Sequence, residues 1–177
     1  YENCVAALEG GKYGLAFSSG MGAIDAILHT LKAGDHIVSC DDVYGGTYRI
    51  FEQIYKQLGI ETTFVDLSDL EKAQAAFQDN TKLIWIESPT NPLLKILDIK
   101  SLCDLAHEKG AKAVVDNTFM SPYFQQPLSL GADIVMHSVT KFMNGHSDVI
   151  GGVTITNDQK IFDQLKFVQK SVGAVPG

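Results

Sequence analysis

The stretch SVTKFMNGHSD, Ser138 to Asp148, sets a lysine between Ser138 and Thr140, with Asn144, Gly145 and His146 behind it. Surface lysines usually sit among other charges. Lys141 has polar uncharged neighbours and then a glycine-containing loop, a setting suited to holding an amine near a ligand. An amine that condenses with a carbonyl must first lose its proton, so Lys141 is expected to be partly buried, with its pKa lowered toward neutrality. Asp116, Asn117 and Thr118 follow the apolar run of KAVVDNTF, which puts a carboxylate at the end of a buried strand. Ser18, Ser19, Gly20 and Gly22 precede an apolar-periodic helix. A glycine-rich turn into a helix start presents free N–H groups and the positive end of the dipole, which suits a phosphate. Tyr44, in DDVYGGTYR, could stack on a planar ligand, and Arg49 could pair with a carboxylate or phosphate. Glu87 closes KLIWIE ahead of a turn bracketed by Pro89 and Pro92, whose rigidity would fix the Asn91 amide.

The elements that must position these groups alternate. ENCVAALEG reads as a helix stopped by Gly10 and Gly11, and KYGLAFSS as a strand; a helix then runs from the Ser19 turn to near Gly34. HIVSC, ETTFVD, KLIWIE, KAVVDNTF, the run Ile134 to Met136, and GVTITN read as further strands. Helices are predicted from Ser68 to Phe77, with Ser68 as N-cap and Glu71 in the capping-box position, from Asp98 to Lys109, and from Asp158 to about Ser171. Strand–helix alternation with short connections predicts an α/β sandwich with a mainly parallel sheet, read as one continuous domain over residues 1–177. Such sheets bind ligands at the carboxyl ends of their strands, where the flagged polar residues fall.

A phosphate cradle, a stacking aromatic, a carboxylate and a lysine together describe a site for pyridoxal phosphate. The lysine binds the aldehyde carbon as an imine, and the aspartate keeps the pyridine nitrogen protonated so that the ring withdraws electrons from a carbanion. Once displaced by a substrate amine, the lysine is a free base placed to move protons.

Composition narrows the surroundings. A net charge of -7 without a compensating basic stretch argues against a general nucleic-acid binder, and no apolar run reaches membrane-spanning length. Cys4, Cys40 and Cys103 lack metal-ligand spacing and read as reduced, buried thiols of a cytosolic protein, with no metal expected. Tyr1 opens directly into a helix and GAVPG stops in a loop, which reads as a fragment.

The motifs AFSSGMGAI, CDDVYGGTYR, WIESPTNP, VVDNTFMSPYFQQPLSLGAD and SVTKFMNGHSDVIGG resemble the Cys/Met-metabolism family of pyridoxal phosphate enzymes over nearly the whole chain. The resemblance implies the large domain of the aspartate aminotransferase type (fold type I), a mixed seven-stranded sheet between helices. It makes Lys141 the Schiff-base lysine and Asp116 the partner of the pyridine nitrogen. Gly20 and Met21 become the backbone phosphate cradle, joined by Ser138 and Thr140. Tyr44 becomes the ring-stacking residue that also takes a proton from the incoming amine, Asn91 lies near the ring hydroxyl, Thr118 lies beside Asp116, and Arg49 contacts substrate.

The implied protein is a cytoplasmic homotetramer, a dimer of dimers, acting on a sulfur amino acid. Its implied reaction is α,γ-elimination of L-cystathionine to cysteine, 2-oxobutanoate and ammonia. γ-Replacement, α,β-elimination of cystathionine and cleavage of methionine use the same site and are the nearest rivals. Methionine-cleaving members often carry a cysteine near the stacking tyrosine, a place Cys40 does not occupy. A non-catalytic cofactor-binding relative is the alternative of another class, and the intact set of Lys141, Asp116 and Tyr44 weighs against it. The family's N-terminal arm and C-terminal domain lie outside these residues, so the piece alone is expected to bind cofactor at most.

Overall fold

Seven strands and seven α-helices make up the computed structural model, which describes residues 1–177, and they alternate as far as β6. The strands are β1 (Tyr13–Phe17), β2 (His36–Cys40), β3 (Glu61–Val65), β4 (Thr81–Glu87), β5 (Lys112–Asp116), β6 (Ile134–Ser138) and β7 (Gly152–Thr156). The helices are α1 (Glu2–Leu8), α2 (Gly20–Leu28), α3 (Gly45–Arg49), α4 (Leu70–Ala76), α5 (Ile99–Glu108), α6 (Ser121–Phe124) and α7 (Gln159–Val172). The strands form one sheet in the order β1-β7-β6-β5-β4-β2-β3.

The sheet is mixed. β2 pairs parallel with β3 and with β4, whereas β7 pairs antiparallel with both β1 and β6. The expected mixed seven-stranded sheet is present, with β7 as its antiparallel strand. The connection from Ser138 to Gly152 holds no crossover helix, and without one a strand returns antiparallel to its predecessor. No helix is long and apolar enough to cross a membrane.

Contacts group the residues into two compact units, the first of residues 1–30, 116–129 and 133–177, the second of residues 31–115 and 130–132. In the first unit β6 and β7 are buried along nearly their whole length, and Ile24, Ile27, Ile134, Met136, Val153, Ile155 and Leu165 form the core. Chain reversals are tied by polar groups: Glu2 Oε1 accepts from Ala16 N at 2.8 Å, and Gln169 Nε2 donates to Ala16 O at 2.5 Å. α7 starts where Asp158 accepts from the N–H groups of Lys160 and Ile161, and ends at Gly173 with φ 74°, a left-handed position that glycine adopts without steric cost.

In the second unit β2 is buried at every position, and β4 carries Leu83, Ile84, Trp85 and Ile86 in succession. Continuous apolar runs of this kind mark strands covered on both faces. α5 begins at Asp98, whose side chain accepts from Ser101 N. α4 begins one residue later than its sequence suggests: Asp69 is the N-cap and accepts from Glu71 N and Lys72 N, while Ser68 is engaged with Asp66. The hydroxyl cap loses because a carboxylate two residues away already holds it. α2 likewise stops at Leu28, well before Gly34, with His29 and Thr30 hydrogen-bonding back to Asp25 and Ile27. Past α3 the helical path continues as a wide π turn over Ile50–Ile54 and a 3-10 turn over Tyr55–Leu58, an extension absent from the sequence reading.

His36 is buried in this second unit, its Nδ1 2.8 Å from Thr81 Oγ1 and its Nε2 2.9 Å from Thr63 Oγ1. Burial pushes its pKa below the usual histidine value, partly opposed by Glu61. The unfolded chain therefore binds the proton more readily, so stability should fall as pH drops through about 6.5 toward the folded-state pKa. Urea unfolding at pH 7.5 and pH 5.5 checks this: the acid loss should shrink in His36→Gln.

Candidate active site

Three groups meet around Ser138, the last residue of β6. The first is the start of α2, where Ser19 caps the helix and its Oγ accepts from Gly22 N at 3.0 Å. That cap serves one of the early N–H groups, and the N–H groups of Gly20 and Met21 are left for an outside acceptor. Gly20 lies directly against Ser138: a Cβ on Gly20 would come within 2.8 Å of the Ser138 Cβ and 3.1 Å of its Oγ. Backbone and hydroxyl are thus brought together at a helix N-terminus by the absence of one side chain, which is the geometry of an anion cradle.

The second group is Asp116, 8% exposed at the end of β5. Its Oδ1 accepts from Thr118 N at 3.0 Å and from Thr118 Oγ1 at 2.5 Å. Thr118 Oγ1 in turn accepts from Ser138 N at 2.9 Å, which locks the carboxyl to β6. Burial pushes the Asp116 carboxyl above the usual carboxylate range, and Thr118 and the neighbouring His137 pull the other way. Both hydrogen bonds fall on Oδ1, so Oδ2 is the oxygen available to a ligand. A buried carboxyl of this kind favours a cationic partner.

The third group is the turn after β6 that carries Lys141, closed by Lys141 N to Ser138 O at 3.2 Å and by Gly145 N to Lys141 O at 2.8 Å. Lys141 is exposed. The expectation of a partly buried lysine fails because Phe142 and residues 145–150 around it are themselves exposed and leave Lys141 uncovered. Thr140 is half-buried, and its hydroxyl exchanges hydrogen bonds with Gly151, donating to its O at 3.3 Å and accepting from its N at 3.1 Å. It braces the loop.

Gly152 fits so closely that a Cβ there would lie 2.2 Å from Ser19 O and 2.9 Å from Gly20 N. Backbone cannot yield as a flexible side chain does. Gly152→Ala should therefore cost about 1–3 kcal/mol in urea unfolding and displace the cradle.

In the second unit the loops after β2 and β4 are tied together. The buried Glu87 accepts from Tyr44 N through Oε2 at 3.0 Å, and the buried Asp42 accepts from Thr90 Oγ1 and, at 2.9 Å, from Leu93 N. Tyr44 is the N-cap residue of α3 and is 44% exposed. Arg49, in the last turn of α3, is exposed, and Asn91 is half-buried in the turn after β4. Cys40 and Cys103 are buried, but Cys4 is exposed on α1, against the expectation that all three are small core residues.

A further buried group has no counterpart in the sequence reading. His137 Nε2 lies 2.5 Å from Glu9 Oε1, which also accepts from Asn117 Nδ2 at 2.8 Å. A lone histidine inside an apolar strand and a glutamate just before a glycine pair were the available signals.

The residues of the first unit fit pyridoxal phosphate. The cradle suits its phosphate, the buried Asp116 its pyridine nitrogen, and Lys141 its aldehyde. The family model described as "Cys/Met metabolism PLP-dependent enzyme" matches residues 1–177. A cystathionine gamma-lyase from Dictyostelium discoideum is 56% identical over 99% of this chain and 46% of its own length. A probable cystathionine gamma-synthase from Herpetosiphon aurantiacus is 50% identical over 99% of this chain and 55% of its own length. The crystal structure of cystathionine gamma-lyase from Lactobacillus plantarum complexed with L-serine superposes with a TM-score of 0.98 at 43% identity, covering 99% of this chain and 46% of that one. The chain spans about half the length of the curated relatives it matches.

Proposed function

Since this chain belongs to the Cys/Met-metabolism family of PLP-dependent enzymes, we propose that the protein containing it is a carbon–sulfur lyase that cleaves L-cystathionine by α,γ-elimination. Cystathionine and water would give cysteine, 2-oxobutanoate and ammonia. The observation that carries the reading is the convergence on Ser138: the cradle at Gly20, the carboxyl of Asp116 through Thr118, and the turn bearing Lys141. Residues 1–177 then make up the cofactor-binding domain.

Bound there, pyridoxal phosphate would supply an electron-withdrawing ring for a carbanion at the amino-acid Cα. The N–H groups of Gly20 and Met21, with the Ser138 hydroxyl, would hold its phosphate, and Thr140 would shape the loop beside it. Asp116, oriented by Thr118, would hold a proton on the ring nitrogen. Lys141 Nζ would anchor the aldehyde carbon and, once displaced by substrate, move protons between Cα, Cβ and the departing sulfur. Tyr44 carries the roles of ring stacking and of accepting a proton from the incoming amine. Asn91 is assigned to the ring hydroxyl and Arg49 to the substrate. The working form would be a cytoplasmic homotetramer, which sedimentation of the purified protein tests.

The likeness to a probable gamma-synthase favours γ-replacement as the second reading, in which cysteine is captured into a thioether rather than released. Product analysis on the full-length protein decides. Cysteine and 2-oxobutanoate from cystathionine support the elimination; pyruvate and homocysteine, or thioether formation alone, overturn it.

A further inference from the structure

The loops that leave β2 and β4 carry Tyr44 and Asn91, and they are stitched together in both directions. β2 and β4 run parallel, with Ser39 opposite Trp85, so both loops leave the sheet at the same edge. Connecting loops are ordinarily more mobile than the strands they join, so the groups they carry need holding. Here each loop receives a buried carboxylate from the other side. Glu87, the last residue of β4, accepts from Tyr44 N through Oε2 at 3.0 Å. Asp42, in the β2 loop, accepts from Thr90 Oγ1 and from Leu93 N, both through Oδ2.

Thr90 is the hub of the second tie. It is 1% exposed, and each of its polar atoms is engaged. Its N donates to Lys95 O at 2.9 Å, its O accepts from Leu94 N at 3.1 Å, and its Oγ1 accepts from Lys95 N at 2.9 Å. The hydroxyl thus closes the turn that holds Asn91, and its one proton fastens that turn to Asp42, two residues before Tyr44. Further out, Lys95 Nζ lies 3.5 Å from Asp41 Oδ1 and 3.3 Å from Asp66 Oδ2. Those ion pairs are partly exposed and screened by water, so the buried tie contributes more to holding the loops.

We propose that Asp42 and Thr90 are positioning residues for the candidate site. Their bond sets the spacing between Tyr44, assigned to the face of the pyridoxal phosphate ring, and Asn91, assigned to the ring hydroxyl. The inference rests on the pyridoxal phosphate reading above, and it needs no contact of Asp42 or Thr90 with cofactor or substrate. A misplacement of about 1 Å is enough to cost about a hundredfold in rate, so a tie at this distance from the chemistry has a measurable effect.

The test reads the pH at which the visible absorption band of the full-length protein, loaded with pyridoxal phosphate, changes. That pH is set at the ring and does not follow from stability. Asn91→Ala should move it, because a hydrogen bond to the ring hydroxyl is lost. Thr90→Val, which nearly keeps the shape and removes the hydroxyl, should move it the same way and lower kcat/KM by about tenfold or more. Thr90→Ser, which keeps the hydroxyl, should restore both. In the double variant the two shifts should fall short of adding, as they do for residues acting on one group. An unmoved pH in Asn91→Ala or in a folded Thr90→Val protein overturns the proposal, and so do a Thr90→Ser protein that behaves like Thr90→Val and fully additive shifts. Amide exchange of the cofactor-free wild type needs no variant to fold: the Leu93 and Tyr44 N–H groups should exchange slowly, and fast exchange at Leu93 overturns the tie. In each of these cases attachment at Lys141 would leave the functional reading standing, whereas failure of the wild type to bind pyridoxal phosphate would remove both.

Discussion

Lys141→Ala should abolish covalent attachment of pyridoxal phosphate and lower turnover of the full-length protein by at least about a thousandfold, because in the proposed reaction one side chain would both anchor the cofactor and move the protons. Stability should hardly change. Lys141 is exposed in a turn closed by backbone hydrogen bonds, and substitutions at such positions stay within about 0.5 kcal/mol. Turnover assays paired with urea unfolding separate the two effects. Loss of activity with an unchanged unfolding midpoint is the predicted pattern; retained activity would mean that another amine does the chemistry.

Asp116→Asn is expected to act in opposite directions on activity and stability. An amide cannot balance a protonated ring nitrogen, so turnover should fall by about 10²–10³, the range for removing one preorganised electrostatic group. Its carbonyl oxygen can still accept from Thr118 N and Oγ1, so the local structure should persist. Burial raises the folded-state pKa of Asp116 above its unfolded value, which means ionisation costs stability once pH rises past about 4. At pH 7 without cofactor the amide variant should match or exceed the wild type in urea unfolding. Below pH 4, where both states bind the proton, that advantage should vanish. A site that gives up stability for a buried charge is the usual trade between activity and folding.

Sequence pattern was a good guide where one physical signal dominated. The runs HIVSC and KLIWIE, apolar and bounded by polar turns, became buried β2 and β4, and Asp98, Asp158 and Ser19 cap the helices expected of them. It failed where two local signals competed. Ser68 and Asp69 both offer an N-cap, and only the structure reveals that Asp66 already engages Ser68. Direction of pairing was also hidden, because the antiparallel return of β7 depends on what a connection lacks.

The site divides similarly. Lysine, aspartate and the glycine-rich helix start are separated by up to 121 residues in the chain but carry recognisable chemistry, so their types and strand-end positions made them visible. The exposure of Lys141 was not visible, since burial depends on what folds over a loop. Least legible was the contact of Glu9 with His137, 128 residues apart, where neither residue stands in a motif that announces it. Ser138 also emerged as more than a flanking hydroxyl: its backbone N–H fixes Thr118 and its side chain closes the cradle at Gly20.

The most direct test is borohydride reduction of the full-length protein loaded with pyridoxal phosphate, followed by peptide mapping. A visible absorption band that disappears on reduction, with a pyridoxyl group recovered on Lys141, is the predicted result. A pyridoxyl group on another lysine, or no band at saturating pyridoxal phosphate, would contradict the assignment of Lys141 and the site built around Ser138.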